Sequence, residues 1–237
     1  MDTYDFLNIP TISSADGIFY KQKGSVMSIK IPNDKTLQSY WKKRYAGESG
    51  DRYKIADDIL TDLFKKYQKN KSADVCFMKS MLLNSFYSTH IIDIRSVAKN
   101  INLKSAELDK LLNKGDYKAV EIIRRAGKHD IYSFATKYCF FSNPRKYSIY
   151  DKYVALLLTD YIMEYKLYEK PNVAALYKNR RISKTGIRND LRNYEIFMNF
   201  INAFMKLCGT NDRMLIDNFL WIKGKELYLN KKGSYNE

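Results

Sequence analysis

Apolar residues recur through most of this chain at the three- and four-residue spacing of a helix face. Ile55, Ile59, Leu60, Leu63, Phe64 and Tyr67 read as one such face, and a second apolar helix runs from Val75 to about Tyr87 through Met78, Leu82, Leu83 and Phe86. His90 to Asn100 reads as a further helix, and Ser105 as the cap of a short one carrying Leu108, Leu111 and Leu112. Asp116 opens the next, with Ala119, Val120, Ile122 and Ile123 on its face and Arg124, Arg125 and Gly127 as a basic last turn and stop. A helix bearing Lys137 runs to about Phe141, Ser142-Asn143-Pro144 breaks it, and Asp151 opens a long apolar helix through Val154, Leu157, Leu158, Tyr161 and Ile162. The spacing then predicts one long helix over about 187–207, stopped by Gly209, and a last amphipathic helix that carries Trp221 and ends before Gly224.

The strand signal of substance lies near the start. Gly17 to Tyr20 and Ser25 to Ile31 alternate around Lys21-Gln22-Lys23-Gly24, which predicts a short hairpin ended by Pro32. The chain therefore reads as mainly α: an arm and β-hairpin over 1–34, one globular helical domain over 35–230, and a polar tail over 231–237. Composition agrees, since 237 residues with 45% hydrophobic content can bury a core, and 10 Gly and 4 Pro leave few breakers.

Charge adds a partner. The excess of 41 Lys and Arg over 26 Asp and Glu gives a net charge of +15, which attracts a polyanion, and nucleic acid is the first candidate. The alternative is a coding bias toward lysine, because the charge is spread along the chain. Cys76, Cys139 and Cys208 are odd in number and sit in apolar patterns, as reduced core residues do. With His90 and His129 the only histidines and no Cys-x-x-Cys pair, no metal site, other cofactor or His-based triad is expected. Neither a leader-like apolar segment after Met1 nor a run of about 18 apolar residues is present, so a cytoplasmic, monomeric protein without a membrane partner is the expectation.

The candidate chemistry centres on Tyr132-Ser133-Phe134-Ala135-Thr136-Lys137-Tyr138 and on Ile149-Tyr150-Asp151-Lys152-Tyr153-Val154. A lysine among apolar and aromatic neighbours loses hydration of its ammonium, which lowers its pKa and frees a nucleophilic amine, and a nearby carboxylate can take its proton. Read from these residues alone, Lys137 is accounted for more readily as a snorkelling lysine and Asp151 as a helix cap. The order apolar Lys-helix, Pro-containing loop, Asp-led helix resembles the catalytic segment of the helix-hairpin-helix DNA glycosylase superfamily. The first hairpin helix would be 116–126, the hairpin 127–132, the second helix 133–141, and the loop 142–150 would deliver Asp151. Departures are a hairpin with one glycine, Gly127, a shorter Lys-to-Asp spacing, and no iron-sulfur cysteine cluster.

The resemblance implies a fold of the helix-hairpin-helix glycosylase type and a DNA glycosylase that removes a damaged or modified base, in repair or in defence. Lys137 would be the nucleophile, with strand-cleaving lyase activity possible through its imine, and Asp151 the electrostatic and general-base partner. Asn84, Tyr87, Ser88 and Thr89 would line the pocket for the flipped base. Arg124, Arg125, Lys128, Arg145, Lys146, Arg180, Arg181 and Lys184 would contact the DNA backbone. Two other readings stand beside it: a nucleic-acid-binding module without chemistry on the same scaffold, and a protein-interaction or toxin-type component whose charge is incidental.

Overall fold

Few helix breakers and frequent polar caps give a succession of helices in the computed structural model, which describes residues 29–233. In order these are α1 (Asp34–Arg44), α2 (Gly47–Lys66), α3 (Ala73–Phe86), α4 (Ile94–Leu103), α5 (Ser105–Lys114), α6 (Lys118–Arg124) and α7 (Tyr132–Ser142). After α7 come α8 (Lys152–Glu164), a 3₁₀ turn at Leu167–Glu169, α9 (Pro171–Tyr177), α10 (Lys184–Asp190), α11 (Tyr194–Cys208) and α12 (Arg213–Gly233). Side-chain caps begin several of them: Asn33, Ser72, Asp93, Asp151, Ser183 and Asn193 each accept a backbone N–H of the first turn. Such a cap contributes about 1 kcal/mol. The hairpin expected over 17–31 falls mostly outside the described residues, and among the described residues there is no β-strand.

One continuous hydrophobic core joins these helices, from Leu37 on α1 to Leu220 on α12. At its centre lies α7, apolar on every side, with Tyr132 and all of 134–141 buried. A helix with that pattern is stable only when surrounded, and α7 is packed by α2, α3, α5 and α6. Its Tyr138 ring meets Phe64 of α2 edge-on at 5.0 Å. On the other side α12 lies along α8 and α1.

Several boundaries differ from the sequence expectation. The predicted helix over 187–207 is two helices, because Asn193 accepts the Ile196 amide and starts α11 afresh after α10 has ended at Asp190. Ser105 is the first residue of α5 rather than its cap, which is Lys104. Ile55 and Ile59 are exposed while Ala56, Leu60 and Phe64 face the core, so the apolar run on α2 straddles two faces. Gly209 does end α11, in the left-handed conformation (φ 68°) that favours glycine. Gly224 ends nothing: α12 runs through it, and a Cβ there would lie 2.3 Å from the Tyr153 carbonyl oxygen. It is the contact point at which α12 closes on the start of α8, and that closure sets one wall of the site.

Candidate active site

The site is built where α7, the loop after it and α12 converge. Tyr150 N–H donates to Thr136 Oγ1 at 3.1 Å, while that hydroxyl donates to the Ser133 carbonyl at 3.0 Å. This pins the loop after α7 to the turn of α7 that carries Lys137. The next residue, Asp151, adopts an extended backbone and caps α8, its Oδ1 accepting from the amides of Tyr153 (2.8 Å) and Val154 (2.9 Å). Its Oδ2 takes no protein hydrogen bond among the described residues.

Lys137 is buried, 5% exposed. Its ammonium donates to Ser133 Oγ, one helical turn earlier, and lies 5.7 Å from the centre of the Tyr87 ring. Burial lowers its pKa from the ordinary lysine value, against the opposing fields of Asp151 and Asp217. Among the described residues no ion pair within 4.0 Å joins Lys137 to either carboxylate. The expected lysine and aspartate therefore share one electrostatic neighbourhood, with Ser133 holding the amine.

Beside them opens a cavity of about 400 Å³ whose wall includes Trp41, Arg44, Asp57, Tyr87, Phe141 and Asp217. Arg44 is buried and donates to Asp57 Oδ2 through Nε (3.0 Å) and Nη2 (2.7 Å), with its guanidinium 5.0 Å from the Trp221 ring centre. Tyr87 donates to Asp57 Oδ1 at 2.6 Å, and burial drives its phenol well above the ordinary range. Asp217 accepts the Ile149 amide at 3.1 Å. Burial pushes its carboxyl up to about 7, with Asp151 adding to the rise and Arg44 and Lys137 opposing it.

Of the four residues expected in the base pocket, Tyr87 lines this cavity. Asn84 instead ties down the following loop: its Oδ1 accepts from Thr89 Oγ1 (2.6 Å) and Ile91 N (3.0 Å), and its Nδ2 donates to the Ile91 carbonyl (3.0 Å). Ser88 is exposed on the same loop, left-handed at φ 45°, as is His90 at φ 55°. The residues that complete the cavity, Trp41, Arg44, Asp57 and Asp217, were not singled out from the sequence. Only Asp217 left a signal there, as a carboxylate inside the apolar run Leu215-Ile216-Asp217-Asn218-Phe219-Leu220.

The segment expected as the hairpin is the loop between α6 and α7, a bowl lined by Glu121, Arg124, Arg125, Gly127, Lys128, His129 and Asp130. Arg125 and Lys128 are exposed. Arg124 is held by Asp130 through two bonds of 2.8 and 2.7 Å, and Arg192 also bonds Asp130. Arg145, Lys146 and Arg181 are exposed, whereas Arg180 pairs with Asp190 and Lys184 with Asp160. No group of three His, Cys, Asp or Glu side chains is placed to hold a metal among the described residues, and none of their helices is long and apolar enough to cross a membrane.

The fold and site define a mainly helical protein with a buried amine beneath a tyrosine ring that lines a polar-aromatic cavity. Residues 35–146 match a family model described as HI_0787_N, an N-terminal domain, a span that includes Arg44, Asp57, Tyr87 and Lys137 and stops short of Asp151. A Haemophilus influenzae protein described as uncharacterized is 34% identical over 156 residues, which cover 63% of this chain and 66% of that relative's length. No solved structure matches.

Proposed function

We propose that the chain is a DNA glycosylase of the helix-hairpin-helix type, with Lys137 as nucleophile and Asp151 as its carboxylate partner. One observation carries the reading: a buried lysine of lowered pKa, on the second helix of a helix–loop–helix pair, beside a cavity and near the aspartate that caps the next helix. The amine lone pair of Lys137 would form a bond to the anomeric carbon of a flipped nucleotide as the glycosidic bond breaks. Asp151, anchored through Oδ1 and open at Oδ2, would face the positive charge that develops on the sugar and take the proton released by the amine. The imine that results can proceed to strand cleavage.

The hairpin bowl suits the backbone of the same DNA. The amides of 127–129 donate to no protein acceptor among the described residues, and Arg125 and Lys128 stand beside them. Incubation with duplexes bearing a range of lesions, in the presence of borohydride, should trap a covalent adduct that Lys137→Gln abolishes while duplex binding persists. Base release that survives Lys137→Gln but requires Asp151 would make water the nucleophile. Salt-sensitive binding with neither release nor adduct would leave a nucleic-acid-binding module in place of the enzyme.

A further inference from the structure

The cavity beside Lys137 holds a second carboxylate for which this chemistry has as yet no use. Asp217 stands on α12 in an apolar run, lines the cavity, and is fixed by one bond from the Ile149 amide, two residues before Asp151. Its second oxygen takes no protein hydrogen bond among the described residues. Charged and titratable groups face it from every side: Arg44 of α1, Tyr87 of α3, Lys137 of α7 and Asp151 at the start of α8, with Asp57 of α2 on the same cavity wall. The two aspartates are committed differently. Asp151 gives one oxygen to two α8 amides as a cap, while Asp217, which lines the cavity with Trp41, Tyr87 and Phe141, accepts one amide and leaves its other oxygen without a protein hydrogen bond among the described residues.

Resting on the base-excision reading of this site, we infer that Asp217 is the acid that protonates the departing base. The Lys137 lone pair forms the bond to the anomeric carbon, and the electrons of the glycosidic bond pass to the base nitrogen. The Asp217 carboxyl proton moves to that base, the proton shed by the new secondary amine goes to Asp151, and Asp217 recovers its proton from solvent. Atoms and charge balance without another reactant. Burial that holds the Asp217 carboxyl at about 7 keeps a large protonated fraction at neutral pH, as a general acid needs.

The experiment uses the full chain, the lesion duplexes and a duplex with a preformed abasic site. Asp217→Asn retains an acceptor for the Ile149 amide. It should lower single-turnover base release by about a hundredfold and remove the fall in rate above about pH 7 that the wild type shows as its acid ionises. Borohydride trapping on the preformed abasic site should drop far less, because no base has to leave. Equal loss of both activities would make Asp217 a structural residue, and unchanged base release would remove it from the chemistry; either result overturns the inference. A wild type that traps abasic sites but releases no base also overturns it while leaving Lys137 as a lyase nucleophile. A wild type that does neither overturns the base-excision reading itself.

Discussion

Replacing Asp217 by Asn should stabilise the protein by an amount that grows as pH rises from about 4 to about 7 and is constant above it. In the unfolded chain this carboxyl ionises around 3.8, in the folded chain around 7. Between those values the unfolded state has already lost its proton and the folded state has not, so folding is progressively disfavoured as pH rises. The favourable contribution is complete below 3.8, declines across the window, and is gone above about 7. At 1.36 kcal/mol per pH unit the window corresponds to about 4 kcal/mol. Asp217 is half-buried and faces the cavity, so solvent screening brings that to about 2 kcal/mol. Asparagine carries no charge at any pH and keeps an oxygen for Ile149. Urea unfolding of the two proteins should coincide near about pH 4 and separate by about 2 kcal/mol in favour of the variant near about pH 8. Parallel stability curves, or a variant less stable at the higher pH, would refute the account of a carboxyl held neutral by burial. A variant that gains stability and loses base release would show stability traded for function at this position.

Lys79, completely buried, has a pKa lowered from 10.5 to about 8 by desolvation. Between those values its unfolded form binds the proton and its folded form does not, so the stability of the wild type relative to Lys79→Met should rise by about 3 kcal/mol across that window. A difference independent of pH in urea titrations would contradict it. Gly224→Ala places a methyl against the Tyr153 carbonyl and should cost about 1–3 kcal/mol by chemical denaturation, since α12 must move off α8. Removing Lys128, exposed at the bowl between α6 and α7, should flatten the salt dependence of duplex binding by about one unit of slope, and removing Arg125, paired with Glu121 at 3.9 Å, by less. Arg180→Ala should change it less, its charge being already engaged by Asp190.

The sequence was most legible where one local rule decided the outcome. Helices α6 and α7 and the capping Asp151 lie within two residues of their expected bounds, since an apolar run, a Pro-containing break and a capping aspartate are read over a few neighbouring residues. The long helix expected over 187–207 failed because Asn193 competes for the backbone as a cap, and periodicity alone does not register that. Gly224 misled for the opposite reason: its missing side chain serves a contact with α8, 71 residues earlier in the chain, rather than a helix end. Arg44 and Asp57 lie on polar-rich α1 and α2, where a buried ion pair looks like any exposed charge until tertiary packing closes α12 over it. Asn84 and Thr89 were placed in the base pocket on the resemblance to the glycosylase fold, yet each uses its polar atoms to hold its own loop.

Two lysines are buried among the described residues, and the contrast between them narrows where chemistry can occur. Lys79 donates to Asn70 Oδ1 at 3.0 Å, lies 4.9 Å from the Phe64 ring centre and is wholly enclosed. Asn70 is itself gripped by Asp109 and by Tyr138, a closed network in which each polar group has a protein partner. Such a lysine stabilises an internal arrangement and meets no substrate. Lys137 has a single hydrogen bond, to a serine on its own helix, and the ring it rests on is a wall of the cavity. Two carboxylates act on it from outside α7, each with an oxygen that accepts no protein hydrogen bond among the described residues. Lowered basicity is common to both amines. What separates them is an open space with unspent carboxylate oxygens beside it, so the borohydride experiment should find its adduct on Lys137 and leave Lys79 unmodified.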